Sequence, residues 1–91
     1  MYLITVDGKE EDGVYSVTNE QGVSILYIFE EEDDAVRFAM LLEEEGYPKM
    51  NVIEVEKKLI IPACEFHNYD YQIFTSDDLV IPPSKDYISF I

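Results

Sequence analysis

The stretch from Glu30 to Pro48 restricts the possible folds more than any other. Five consecutive acidic residues, Glu30 to Asp34, lead into Ala35, Phe38, Ala39 and Leu42 at i, i+3, i+4 and i+7, and Glu43-Glu44-Glu45-Gly46-Tyr47-Pro48 follows. That spacing lines one side of an α-helix with apolar groups and demands a core to receive them. Carboxylates in the first turn oppose the positive end of the helix dipole. Gly46 suits the left-handed position just past the last turn, and Pro48 forbids continuation. The acids at 43–45 sit at the wrong end of the dipole, so the last turn is expected to fray.

A helix with one apolar side needs a partner, and the flanking sequence supplies strands. Residues 1–6 alternate Tyr2, Ile4 and Val6 against Leu3 and Thr5, and all suit a strand. After a turn at Asp7-Gly8 and the acidic loop 10–13, Val14 to Thr18 and Val23 to Phe29 read as a hairpin turning at residues 19–22. Beyond the helix, Asn51 to Glu56 alternates as a strand with one mostly wet face. Strand, helix and strand there form a crossover, right-handed if the strands are parallel neighbours. Pro62 is tolerated only near the start of a helix, which places a short helix over 61–68. Asn68-Tyr69-Asp70 is a turn, Tyr71 to Phe74 a last strand, and Pro82-Pro83 ends the regular part.

The order β, β, β, α, β, α, β predicts an α+β domain. Its expected form is a two-layer sandwich: a mixed or antiparallel sheet of four to five strands with two helices on one face, in a ferredoxin-like or related arrangement. Ninety-one residues hold one such unit. A chain of this size buries roughly 60–65% of its unfolded surface, enough to fold without a metal or disulfide. The domain is read as residues 1–83, with 84–91 as a C-terminal extension. That tail carries Tyr87, Ile88, Phe90 and Ile91, too apolar to be left in water, so it is expected to dock.

A resemblance enters through particular residues: Gly13-Val14-Tyr15-Ser16, Leu26-Tyr27-Ile28-Phe29-Glu30, Asp33-Asp34-Ala35-Val36-Arg37-Phe38-Ala39, Leu42 and Gly46-Tyr47-Pro48. This pattern resembles a family of small domains of unknown function from cyanobacteria, their phages and chloroplasts. Cys64 and Pro82-Pro83 fit it as well, whereas Leu59-Ile60-Ile61-Pro62 departs from the more acidic, more helical segment of the family. The resemblance implies a setting in an oxygenic phototroph, or a virus infecting one, and it supplies no catalytic residues.

Charge bears on function directly. Twenty Asp and Glu stand against six Lys and Arg, a formal net charge of −14. Nucleic acid and anionic membranes bind through lysine and arginine, so this surface is expected to be repelled by both. A basic protein partner is the natural complement, with attraction that weakens as salt rises. The ordinary alternative is a solvated surface that keeps the protein soluble. No stretch approaches the roughly 18 apolar residues of a membrane span, and the first residues lack the basic and apolar regions of a signal peptide. With Cys64 as the sole cysteine, the expected location is cytoplasmic.

Candidate chemistry is sparse. Cys64 and His67 would share a helix face, and an imidazole can activate a thiol, but no third group is indicated and a buried helical cysteine is ordinarily a core residue. The acids at 30–34 lack the spacing and glycine of a calcium loop. The four glycines are scattered singly at turns. No enzyme, metal or cofactor is expected. Aromatic residues at turns and in the tail, beside acids, suggest contact anchors. The candidate partner-binding residues are Glu30, Glu31, Glu32, Asp33, Asp34, Tyr47, Tyr69, Tyr87 and Phe90. The expected function is a non-enzymatic acidic interaction or regulatory module, monomeric or homodimeric, that meets a basic protein. The alternative is a viral acidic inhibitor that mimics nucleic acid and blocks a basic groove on a host protein.

Overall fold

In the computed structural model, which describes residues 1–83 and 87–91, six strands and two α-helices follow one another along the chain. They are β1 (Tyr2–Val6), β2 (Tyr15–Thr18), β3 (Ser24–Phe29), α1 (Glu32–Glu44), β4 (Met50–Glu54), α2 (Lys57–Phe66), β5 (Asp70–Phe74) and β6 (Ile88–Phe90). The strand order is β4-β1-β3-β2-β6, and β5 joins by pairing with β3. β2 and β3 make the expected hairpin, with Ser16 opposite Leu26 and Thr18 opposite Ser24. Asn19 closes the turn, its side-chain carbonyl accepting from the N–H groups of Gln21 and Val23 at 3.0 and 2.9 Å. β1 runs antiparallel to β4 along its whole length and meets β3 at Tyr2 and Phe29. β5 lies parallel to β3 from Ile25↔Asp70 to Phe29↔Phe74. The sheet is mixed and the class α+β, with six strands among the described residues rather than four or five.

The layering differs from the expectation. Phe38, Ala35, Ala39 and Leu42 of α1 pack with Ile4, Tyr15, Phe29 and Met50, while Cys64 of α2 packs with Leu3, Leu26 and Ile28. Successive side chains of a strand point to opposite faces. Leu3 and Ile4 are neighbours in β1, and Ile28 and Phe29 are neighbours in β3, so the two helices cover opposite faces. The expected two-layer, ferredoxin-like stacking is therefore corrected to three layers, helix, sheet and helix. The physical reason lies in β3: Ile25-Leu26-Tyr27-Ile28-Phe29 is an unbroken apolar run, which no single covering layer could bury.

Both helices close in the same way. Past α1, Gly46 takes φ 95° and the Tyr47 N–H donates to the Leu42 carbonyl at 3.2 Å. Past α2, Asn68 takes φ 59° and the Tyr69 N–H donates to the Cys64 carbonyl at 2.9 Å. Each is a Schellman closure, which satisfies carbonyls that the helix leaves open. The end of α1 is further tied to β4, because a Glu43 carboxylate oxygen accepts from the Met50 N–H at 3.2 Å. This closure offsets the fraying expected from the acids at 43–45. α2 begins four residues before the expected start at 61, and Pro62 sits inside it. Proline removes one backbone donor there, and the apolar packing of Ile60, Ile61 and Cys64 on the sheet compensates.

The tail adds a strand to the molecule's own sheet. β6 pairs antiparallel with β2, placing Phe90 opposite Tyr15 and Ile88 opposite Val17. Ile88 and Phe90 pack against the α1-side core. Val14 and Ile91 exchange backbone hydrogen bonds at 2.8 and 2.9 Å. A Cβ on Gly13, which holds φ 130°, would lie 2.8 Å from the Ile91 carbonyl oxygen, so this closure needs glycine. The first residues of the 84–91 extension, 84–86, lie outside the described residues.

Candidate partner-binding surface

The acidic run sits where β3 hands the chain to α1. Glu30 prolongs the β3–β5 ladder, its N–H donating to the Phe74 carbonyl at 2.9 Å. Glu31 is the residue before the helix, and Glu32, Asp33 and Asp34 occupy its first turn. Glu30 to Asp33 are exposed, whereas Asp34 is half-buried and pairs with Arg37 at 3.2 Å. The other Asp34 oxygen, Oδ2, is buried without a hydrogen-bond partner among the described residues. Four of these five carboxylates thus face solvent, and the fifth serves the helix itself.

The aromatic candidates do not gather with them. Tyr47 and Phe90 pack against the α1-side core, and Phe90 meets the Tyr15 ring edge-on at 6.1 Å. Tyr69 lies on the other face, stacked on His67 at 5.5 Å. Tyr87 is exposed beside β6. The structure therefore distributes the nine candidates over both faces instead of joining them in one patch. Three of the four aromatics contribute to packing, because sheet pairing by β6 and the closures of α1 and α2 drew them inward.

Other exposed apolar groups went unread in the sequence. Phe66 is 82% exposed and Leu79 89% exposed, with Leu59, Ile81 and Met40 also largely in solvent. Leu59, Pro62 and Phe66 recur at i, i+3 and i+7 on α2, outward from Ile60, Ile61 and Cys64. That period was available in the sequence, but the late placement of the helix start hid it. An open groove of about 580 Å³ runs beside β5, lined by Glu65, Asn68, Tyr69, Asp70, Tyr71 and Gln72.

Cys64 and His67 both line a cavity of about 290 Å³, together with Leu26, Ile60 and Tyr69. Burial pushes the Cys64 thiol up, and the Glu65 carboxylate adds to the shift. An activated nucleophile requires the opposite shift, so this environment is that of a packed thiol. Among the described residues no three His, Cys, Asp or Glu side chains gather closely enough to hold a metal ion. No helix among them is long and apolar enough to cross a membrane.

Fold and surface together define the class: a small α+β domain with a helix on each face of a mixed sheet, an acidic exterior and scattered apolar side chains in solvent. Residues 2–84 match the model of DUF3110, described as a domain of unknown function, and the chain belongs to that family. Neither a curated protein nor a solved structure matches it significantly.

Proposed function

We propose that this chain is a non-enzymatic interaction or regulatory module that engages a basic protein through its acidic exterior. The observation that carries the reading is the pairing of two surface properties. A net charge of −14 surrounds large apolar side chains, Phe66 and Leu79 above all, that are left in water. Carboxylates steer a cationic partner over distance, and apolar groups supply contact area on arrival. A surface serving solubility alone needs the first property and not the second. In this reading the chain acts in the cytoplasm, contacts neither nucleic acid nor membrane, and meets its partner as a monomer or homodimer. The family resemblance suggests an oxygenic phototroph or a virus infecting one, with the partner drawn from photosynthesis or its assembly.

The test is capture from a cyanobacterial lysate by the immobilised chain at low and high salt. Basic proteins should be retained at low salt and released as the Debye length contracts from about 10 Å at 0.1 M toward about 3 Å at 1 M. Retention of no basic protein at low salt sinks the reading. Competition by duplex DNA for the captured protein would identify the variant in which the chain mimics nucleic acid.

A further inference from the structure

β5 is an open edge. Among the described residues it pairs with β3 alone. In a parallel ladder alternate residues turn both backbone groups toward the same neighbour. The Phe74 carbonyl accepts from the Glu30 N–H, so Phe74 and Gln72 face β3, and Tyr71 and Ile73 turn their N–H and C=O groups outward. The Ile73 carbonyl receives only a 3.5 Å contact from the Gln72 side-chain amide. The Thr75 N–H, next along the edge, is already taken by the Asp78 carboxylate at 2.7 Å. The unfilled stretch is therefore short, and it is centred on Tyr71 and Ile73.

Side-chain chemistry along this edge is one-sided. From Glu65 to Asp78 there are four carboxylates and no lysine or arginine. Glu65 and Asp70 line the groove at one end, and Glu30 joins the ladder at the other. Ile73 belongs to the α2-side core and Phe74 to the α1-side core, so Tyr71 shares a face with Ile73 and Asp70 with Gln72. Along its first four residues the edge thus alternates Tyr71 and Ile73 on one face with Asp70 and Gln72 on the other, before Phe74 turns into the α1-side core. The other outer strands offer less. β6 has three residues, and β4 is entered through Pro48 and Lys49, which blunt that end of its edge, with Glu54 as its one carboxylate.

We propose that the outer edge of β5 accepts one extended basic segment of a partner protein, in which lysine or arginine alternates with apolar residues, as an added strand. Its backbone pairs with the outward groups of Tyr71 and Ile73. Its cations lie beside Asp70 and its apolar side chains beside Tyr71 and Ile73. A second copy of this chain is disfavoured as the occupant, because pairing β5 with β5 brings together two surfaces that each carry −14. This inference rests on the interaction-module reading and specifies where the partner sits.

The experiment measures anisotropy of a fluorescein-labelled peptide alternating lysine and valine, titrated with the intact chain. Three comparisons accompany it: a glutamate–valine peptide, the lysine–valine peptide with alternate backbone amides N-methylated, and the variant Tyr71→Pro. Proline at 71 removes an outward N–H, which an edge strand tolerates, and circular dichroism checks that the variant folds. The expected result is saturable binding of the lysine peptide, no binding of the glutamate peptide, and affinity reduced at least about tenfold by Tyr71→Pro and by N-methylation. The N-methylated peptide decides the matter even if the variant does not fold. Binding indifferent to N-methylation overturns the proposal, since a diffuse charge contact would not need backbone pairing. So does a concentration-dependent dimer that Tyr71→Pro abolishes, because the edge then serves a second copy. If the wild-type chain and Tyr71→Pro retain the same basic proteins from lysate, the interaction reading stands and the β5 site falls. If neither retains any, the reading itself has failed.

Discussion

Truncating Phe38 to alanine tests the central packing. The ring is 2% exposed and contacts the rings of Tyr15, Phe29 and Tyr27 with centroid separations of 5.3, 5.4 and 5.8 Å. An aromatic side chain that removes roughly 150–250 Å² from water contributes about 4–6 kcal/mol at about 25 cal/mol per Å². Alanine keeps a small part of that area, and three facing rings cannot collapse into the hole, so the expected loss is about 3–5 kcal/mol. A domain of 91 residues holds roughly 5–14 kcal/mol in total, so the variant should stand near the limit of folding. With a urea slope of about 1–1.5 kcal/mol per M, the midpoint should fall by roughly 2–5 M. Met40→Ala is the control: it lies two residues further on but is 57% exposed, and it should change stability by under about 0.5 kcal/mol. A loss below about 1 kcal/mol for Phe38→Ala, or equal losses for the two variants, would show that α1 presents a different side to the sheet.

Tyr15 provides a pH test. Burial, with the neighbouring Tyr27 and Tyr47 phenols, holds its hydroxyl well above the ordinary 10.0, and that hydroxyl has no hydrogen-bond partner among the described residues. Below pH 10.0 folded and unfolded chains both keep this proton; above it only the unfolded chain loses it, so stability falls by up to about 1.4 kcal/mol per pH unit. Tyr15→Phe should equal or exceed the wild type at neutral pH, because it removes an unpaired buried hydroxyl, and lose less stability in denaturant melts between about pH 9 and pH 11, and an unchanged slope would contradict the assignment. Gly13→Ala should cost about 1–3 kcal/mol and speed amide exchange at Ile88 to Phe90, because its Cβ meets the Ile91 backbone; unaltered exchange would mean that β6 docks otherwise. Cys64, held in the α2-side core, should react with a thiol reagent far more slowly in the native state than in denaturant. Cys64→Ser should cost about 1–3 kcal/mol by burying a hydroxyl, and rapid native labelling would contradict the packed-thiol environment.

What could be read from the sequence is what short-range physics controls. The apolar side of α1, its closure at Gly46, the β2–β3 hairpin and the strand character of β1, β4 and β5 all follow from periods of 3.6 and 2 and from turn chemistry. The α+β class follows from their order. The layering did not. An apolar run such as Ile25 to Phe29 announces burial on both faces, but which helix covers which face depends on how the two connections cross the sheet, and no local pattern records that. The start of α2 was misplaced because Pro62 was weighed as a helix opener, whereas packing of Ile60, Ile61 and Cys64 outweighed the lost hydrogen bond. The candidate surface divided in the same way. The acids at 30–33 were legible because a charge run at a helix start has no reason to be buried, and they are exposed. Tyr47 and Phe90 were not, since an aromatic at a turn or in a tail becomes anchor or core only when a strand such as β6 finds its place. The unfilled edge of β5 belongs wholly to the tertiary structure: whether a strand has one neighbour or two is decided by the rest of the sheet, and no residue within the strand encodes it.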